Sequence, residues 1–149
     1  MRYTRNVVGQ ALRSSLDYLC FFPKPLNKSC YHLPVAPNLP HLLRLGLVIG
    51  NYSGFQTFPS FAYSIETVDM LAVQNITTTN RIGVYDEFIV VTSGTVIYVC
   101  FIKTSESDDP FISGIEMRAL QYGMYRQAQP GTMLSLETRV DIGSNSSVR

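Results

Sequence analysis

The amino-acid sequence predicts an all-β protein folded as an antiparallel β-sandwich. Residues 95–103, TVIYVCFIK, place apolar side chains on both faces of a predicted strand, and such a strand must be covered on both sides. In residues 115–119, IEMRA, apolar and charged side chains alternate, as in a half-buried strand. Short apolar segments separated by turn signals recur along the chain, which is typical of a sandwich or barrel.

The composition agrees with one folded, β-rich domain. The chain has 149 residues, of which 46% are hydrophobic and 15% charged, so it can build a core. Tyr and Phe supply all of the 11% aromatic content and favour strands. The net charge is +1 and the basic residues are scattered. We therefore expect no nucleic-acid partner.

The first half of the chain reads as short strands. Residues 1–16 are predicted to form an irregular lead-in, followed by a strand over residues 17–22. Five prolines between positions 23 and 40 exclude long helices there. A strand is predicted over residues 42–49, with alternate leucines on one face, and GNYSG at 50–54 is a strong turn signal.

The second half continues this pattern towards the central strand. Strands are predicted over residues 61–65, 70–73 and 85–91, and Ser93 and Gly94 form a tight turn into the strand at 95–103. A loop without hydrophobic residues follows, and Pro110 ends it before the next strand. We predict a polar linker over residues 121–133, after which alternation resumes in residues 134–142.

The three cysteines leave two alternatives open. Cys20, Cys30 and Cys100 are odd in number and irregular in spacing, so they form neither a disulfide framework nor a zinc motif. A bridge between Cys30 and Cys100 is conceivable if their strands are neighbours. The other reading is three small, buried apolar side chains.

No catalytic motif is present in the sequence. It contains no nucleophile elbow, phosphate-binding loop, dinucleotide fingerprint or zinc-protease helix. His32 and His41 lie in proline-rich territory, where we expect loops. The acidic pair at 86–87 faces opposite sides of a strand, and the pair at 108–109 suits solvation of a loop better than calcium binding. We predict no enzymatic activity, no cofactor and no metal site.

Four sequons point to secretion, whereas no secretory signal is visible. Asn27, Asn51, Asn75 and Asn145 each begin an N-glycosylation pattern. The first 20 residues lack an apolar core of signal-peptide type, and no segment of about 20 apolar residues could span a bilayer. We expect a fragment whose signal peptide precedes it and whose membrane span follows it. The alternative is a truncated gene product that stays in the cytosol.

Several sequence blocks, in order, resemble the plant malectin-like domain, the ectodomain module of many leucine-rich-repeat receptor-like kinases. The blocks are FFP with SCYHL, LLRLGLVIGNYSG at 42–54, and VC with the later PFISGIEMRAL at 110–120. The resemblance covers residues 17–143. It implies a malectin-like, jelly-roll sandwich, incomplete at its N-terminus, over residues 17–120. RVDIG within residues 134–149 then implies the start of a second malectin-like unit, ending in a polar tail.

The resemblance implies a non-catalytic binding module at the extracellular face of the plasma membrane. Its implied partners are a cell-wall carbohydrate or peptide ligand, a second malectin-like unit and a co-receptor. By position, Tyr52 and Asn51 match the region that holds sugar in malectin. Phe55 in the same turn offers a second aromatic platform. In the competing interpretation, the rings of this turn pack the end of the sandwich.

Three other functions compete with this interpretation. The chain could be a structural or dimerisation piece of an ectodomain. It could be a carbohydrate-binding module attached to an enzyme. It could also be a non-functional truncated copy, because missing strands would leave unpaired sheet edges.

Overall fold

A computed structural model of the chain describes residues 2–5, 18–22, 27–48, 59–77 and 83–137. Within these ranges the strands pair antiparallel, so the predicted all-β antiparallel sandwich is confirmed. None of the described residues belongs to a helix long and apolar enough to cross a membrane. The strands are β1 (Arg2–Arg5), β2 (Tyr18–Phe21), β3 (Lys28–Pro34), β4 (His41–Val48), β5 (Phe61–Glu66), β6 (Leu71–Ile76), β7 (Gly83–Val91), β8 (Val96–Ile102), β9 (Phe111–Ile112), β10 (Gly114–Ala119) and β11 (Thr132–Ser135).

Two four-stranded sheets enclose the core. One has the strand order β10-β4-β7-β11 and the other β3-β8-β5-β6. Their inner faces meet, since the ring of Tyr63 on β5 lies 6.4 Å from that of Phe88 on β7. A three-stranded sheet, β1-β2-β9, adds Leu19, Phe21 and Phe111 to the same hydrophobic cluster.

Strand β4 shows how the alternating sequence builds this core. Leu43, Leu45 and Leu47 are fully buried, as the spacing of the leucines predicted. Arg44 lies on the opposite face of the strand, where it is only half-buried. Burial of a leucine side chain stabilises the fold by about 1.5–3 kcal/mol. The register of β4 is therefore fixed, because a shift by one residue would expose all three leucines.

Strands β3 and β8 are joined by a disulfide between Cys30 and Cys100. Lys103 N–H donates to Asn27 C=O at 2.9 Å, and hydrogen-bonded and non-hydrogen-bonded pairs alternate from there along the ladder. Cys30 and Cys100 thus form a non-hydrogen-bonded pair, the type in which opposite side chains lie closest. The bridge that the sequence left open is present, and Cys20 is buried outside this disulfide.

The two faces of β8 are covered differently. Cover on both sides was predicted, and the inner face meets this prediction in the sandwich core. On the outer face Tyr98 is half-buried, whereas Cys100 is fully buried. Lys28 Nζ lies 2.6 Å from Glu66 Oε1, and this ion pair joins the strands on either side of β8. Side chains of neighbouring strands therefore cover the centre of this outer face. The fully buried inward-facing residues of β8 are Ile97, Val99 and Phe101.

Three strands differ from the sequence-based expectation. β3 occupies a proline-rich region where loops were expected. β1 lies within the segment that was predicted to be irregular. β11 begins in the predicted linker and pairs with β7, with Leu134 opposite Ile89. The segment between β10 and β11 consequently connects the two edge strands of one sheet. The division of the chain into a first unit, a linker and a second unit stays a prediction.

Candidate functional site

A cleft opens where β2 separates from the strand that follows β9. β2 pairs with β9 only at Cys20–Ile112 and Phe21–Phe111, and Tyr18 then continues beside β1. The space left between β2 and β10 has a volume of about 290 Å³. We call it the edge cleft, and its lining residues are Tyr18, Leu19, Cys20, Tyr31, Leu33, Ile112, Ser113, Gly114, Ile115 and Met117.

A β-bulge at Ser113 explains why pairing with β2 stops here. Ser113 N–H donates to Gly46 C=O at 2.9 Å, although it is Gly114 that stands opposite Gly46 in the ladder. Two residues of one strand thus face a single residue of β4, which defines a bulge. The Ser113 hydroxyl donates to Val48 C=O at 2.6 Å and accepts from Val48 N–H at 3.1 Å. A side chain therefore hydrogen-bonds the backbone at the end of β4, beyond the last paired position of β10.

Beyond the bulge, β10 presents an edge of backbone groups to the cleft. Leu120 N–H donates to Pro40 C=O at 2.9 Å, so every second residue before Leu120 points its backbone groups at β4. The backbone N–H and C=O groups of Ile115 and Met117 point the other way. Because β10 is the outer strand of its sheet, these groups have no strand partner among the described residues.

The floor of the edge cleft comes from the opposite sheet. Tyr31 and Leu33 on β3 are partly buried against the core. The Tyr31 ring stands edge-on to Phe22 and Phe101, with centroids 6.0 and 6.3 Å away. These contacts fix the position of the ring, and the disulfide at Cys30 fixes the strand beneath it. The floor is therefore rigid, apolar and preformed.

The walls of the edge cleft carry few polar groups. Tyr18 is 58% exposed and brings a ring and a hydroxyl to the mouth. The Cys20 thiol is buried in the wall and donates weakly to Phe21 C=O at 3.9 Å. The arrangement can hold an apolar group on the floor while the backbone of β10 forms hydrogen bonds beside it.

The sequence-predicted ligand-binding residues Asn51, Tyr52 and Phe55 lie outside the described residues, and their role stays a prediction. The sequons at Asn51 and Asn145 also lie outside the described ranges. The other two belong to the sheet β3-β8-β5-β6, since Asn27 directly precedes β3 and Asn75 lies on β6. Both of these side chains are exposed.

The acidic residues 86 and 87 face opposite sides of β7, as predicted. Asp86 accepts a hydrogen bond from the buried Tyr63 hydroxyl on the core side. Burial, followed by this contact with Asp86, raises the pKa of Tyr63. Glu87 accepts from Arg44 Nε at 2.8 Å on the outer face, and this hydrogen bond is the main cause that raises the pKa of Arg44.

The acidic pair at 108–109 is engaged in structural contacts. Asp108 accepts from Ser60 N–H at 3.0 Å, and Asp109 lies 2.6 Å from Lys103 Nζ. These bonds tie the polar loop to the start of β5 and the end of β8. Within the part of the chain that the structure describes, no three metal-ligating side chains cluster together.

Both histidines lie on strands, whereas the sequence predicted loops. His32 is exposed on β3 and its ring stands edge-on to Tyr98, with centroids 4.8 Å apart. His41 is buried at the start of β4, and its Nδ1 lies 2.8 Å from Leu39 C=O. The two side chains have separate structural contacts, and neither lines the edge cleft.

The carboxylate of Asp69 connects two turns. Its carboxylate accepts from the Ser93 hydroxyl at 2.6 Å, from the Thr92 hydroxyl at 2.6 Å and from Ser93 N–H. The Ser93 hydroxyl is the largest cause of the lowered pKa of Asp69, followed by Thr92. This cluster ties the turn before β6 to the turn before β8.

Comparison with known families assigns the chain. The malectin-like domain family matches residues 4–149. The chain belongs to the malectin-like domain family. It is 32% identical over 143 residues to a probable LRR receptor-like serine/threonine-protein kinase of Arabidopsis thaliana. The match takes in 93% of this malectin-like chain but only 15% of the kinase, so the chain spans a small part of its relative.

Solved structures show the same fold. A plant receptor-like kinase, FER, matches 90% of this chain with a TM-score of 0.65 and 16% identity, over 38% of its own chain. The plant peptide RALF23 in complex with FER and LLG2 provides a second match, with a TM-score of 0.62 and 14% identity. This second match covers 80% of this chain and 32% of the matched chain in the complex.

The edge cleft was not found from the sequence. Its lining comes from four strands that are far apart in the chain, and only the register of the sheets brings them together. One signal was available: PFISGIEMRAL contains Ser-Gly in the middle of an otherwise regular strand, and an interior Gly often marks a bulge.

Proposed function

We propose that this chain is a non-catalytic, extracellular binding module of a receptor-like kinase and that its ligand is a peptide. The observation that carries the proposal is the edge cleft, an apolar cavity of about 290 Å³ beside a strand edge that no described strand covers. A concave, mostly apolar and preformed site is the usual form of a binding site. The complex of FER with the plant peptide RALF23 supports a peptide in a protein of the same fold.

An extracellular location is supported by two features of the chain. The Cys30–Cys100 disulfide is of a kind that persists in oxidising compartments. The exposed sequons at Asn27 and Asn75 suit the secretory pathway. The receptor-like kinase relatives agree with this location, and a position at the plasma membrane is part of the proposal.

A non-catalytic role is supported by how the acidic side chains are used. Asp86 binds Tyr63, Glu87 binds Arg44, and Asp109 binds Lys103. Each of these carboxylates already has a structural partner on a different part of the surface. General acid–base chemistry instead needs a titrating group within hydrogen-bond reach of the reacting atom.

The proposed partners extend beyond the peptide. A second malectin-like unit after residue 133 and a co-receptor belong to the proposal. The RALF23 complex contains LLG2 as well as FER, which supports a ligand shared between two proteins.

The test is a binding selection on the full chain, secreted with its disulfide intact. A library of random 12-residue peptides displayed on phage is the first probe, and an array of cell-wall oligosaccharides is the second. We expect selected peptides to bind with dissociation constants in the micromolar range or tighter, measured by calorimetry. Failure to select any peptide would contradict the proposed ligand class.

A carbohydrate ligand is the second candidate, favoured by Tyr85. Its side chain is 47% exposed on the outer face of β7, and the residue opposite it on β4 is Gly46, which has no side chain to cover the ring. Exposed aromatic rings are typical platforms for sugars. Retention on the oligosaccharide array that is lost in Tyr85→Ala would support this function over the first.

A further inference from the structure

We propose that the edge cleft takes its peptide as an added β-strand along β10, with one apolar side chain seated in the cavity. This inference rests on the proposed peptide-binding function and specifies how the peptide is held. Addition of an extended peptide to a sheet edge is a recurring mode of recognition, in which backbone hydrogen bonds give affinity and side-chain pockets give specificity.

The backbone of β10 supplies the first half of the site. The N–H and C=O groups of Ile115 and Met117 point away from β4, and one residue, Glu116, lies between them along the extended strand. A peptide strand lying beside β10 would meet these donors and acceptors at the spacing of an antiparallel or parallel ladder. An edge strand that is left unpaired in this way invites pairing with another chain.

The bulge at Ser113 separates the part of this edge that β2 covers from the part that has no strand partner among the described residues. Before the bulge, β2 holds the edge of β9 at Cys20–Ile112 and Phe21–Phe111. After it, β2 has no described pair on the side of β10, while its other edge pairs with β1 along the whole strand, from Phe21 to Tyr18. The space between β2 and β10 therefore widens at the point where the edge becomes free.

The cavity supplies the second half of the site and favours an apolar side chain. A peptide strand in the cleft would direct alternate side chains towards the floor, which is formed by Tyr31 and Leu33. The volume of about 290 Å³ lies just below the range of about 300–1,000 Å³ that drug-sized ligands occupy. It suits one large side chain, whereas an extended oligosaccharide needs a longer platform.

The closing experiment starts from the tightest 12-residue peptide selected on the secreted full chain. Each of its backbone amides is methylated in turn, and the dissociation constant is measured by calorimetry. We expect methylation to weaken binding at least tenfold at alternate positions in the central segment and to leave the intervening positions unchanged. This alternation is the signature of a strand that pairs on one side only.

Two substitutions locate the peptide. Met117→Pro removes an N–H that points into the cleft and leaves the pairs with β4 intact, a position where an edge strand tolerates proline. We expect it to weaken binding at least tenfold, while the matched control Met117→Val retains affinity within threefold. Leu33→Trp fills the floor and should abolish binding, which keeps the test decisive if the proline variant does not fold.

The outcomes separate the two proposals. If the wild-type chain selects no peptide, the proposed peptide-binding function is wrong and this inference falls with it. If it binds a peptide whose affinity shows no alternation on methylation, and Leu33→Trp leaves that affinity unchanged, only the strand-addition site is overturned.

Discussion

The two lateral strand pairs that flank the core are built in opposite ways. β3 pairs with β8 over seven residues, from Lys28–Ile102 to Pro34–Val96, and a disulfide crosses the middle. β2 pairs with β9 at two residues and then leaves. One pair is continuous and covalently joined, whereas the other is interrupted by a bulge. A rigid floor thus lies opposite an open edge, which is the combination that a strand-binding site needs.

The largest expected effect tests the continuous strand pair, β3 with β8. Replacing both Cys30 and Cys100 by alanine removes a cross-link that closes a long loop, with a sequence separation of 70. We expect the free energy of unfolding to fall by about 2–5 kcal/mol, measured by urea denaturation. Cys20→Ala is the matched control, since that cysteine is not part of a disulfide, and should cost less than half as much. Equal losses in the two variants would contradict the prediction.

The second prediction compares the core with the cleft floor. Leu45→Ala removes a fully buried side chain and should cost about 2–5 kcal/mol of stability. Leu33→Ala removes a side chain that is only partly buried and borders an existing cavity, so its cost should be clearly smaller. Thermal or urea unfolding of the two variants side by side provides the measurement. A larger loss at Leu33 would show that the cleft is closed in solution.

The third prediction concerns the bulge at Ser113, between β9 and β10. Ser113→Ala leaves the backbone N–H and C=O of Val48 without the hydroxyl that binds both. We expect a loss of about 1–3 kcal/mol, because two hydrogen bonds to Val48 are removed and each contributes about 0.5–1.5 kcal/mol. Ser113→Thr keeps a hydroxyl and should recover part of the stability. A neutral alanine variant would mean that water replaces the side chain there.

The fourth prediction uses the lowered pKa of Asp69. Because its folded pKa lies below the ordinary value of 3.8, its contribution to stability is present above about pH 4 and is lost as pH falls through the lower, folded pKa. Asp69→Asn should therefore be less stable than wild type at pH 7, and the difference should shrink at pH 2. Urea titrations at both pH values measure this. A difference that stays constant with pH would contradict it.

The smallest expected effect on the fold comes from glycans at Asn27 and Asn75. Both sequons belong to the sheet β3-β8-β5-β6, and the described strands β2, β9 and β10 carry none. Secretion from a eukaryotic host should add a glycan at each site, detected by mass spectrometry before and after enzymatic removal. Asn27→Gln and Asn75→Gln should each lose one glycan with little change in stability. An unmodified secreted chain would contradict the secretory assignment.

Sequence reasoning predicted the core strands, such as β4, better than it predicted the edge cleft beside β2 and β10. The alternation of leucines in β4 indicated which face is buried, because a period of two has one physical solution when a core must form. The strand over residues 115–119 was also anticipated, and it forms most of β10. The family resemblance gave the fold, and the match over residues 4–149 confirms it.

The edge cleft could not be predicted because it depends on pairing between distant segments. Nothing local indicates that β2 leaves β9 after two pairs, or that Tyr31 lies below the gap. β11 was missed for the same reason, since its pairing with β7 lies outside any sequence window. The disulfide stayed open at the sequence level because its partners are neighbours only through the register of β3 on β8.

The short contact between β2 and β9 also has a mechanical consequence. Tension applied at Arg2 would first load the four pairs that join β1 to β2 and then the two pairs that join β2 to β9. These pairs can separate one after the other, whereas the six pairs between β10 and β4 are not loaded while they do so. The sheet nearest the amino terminus is therefore the weak link under pulling.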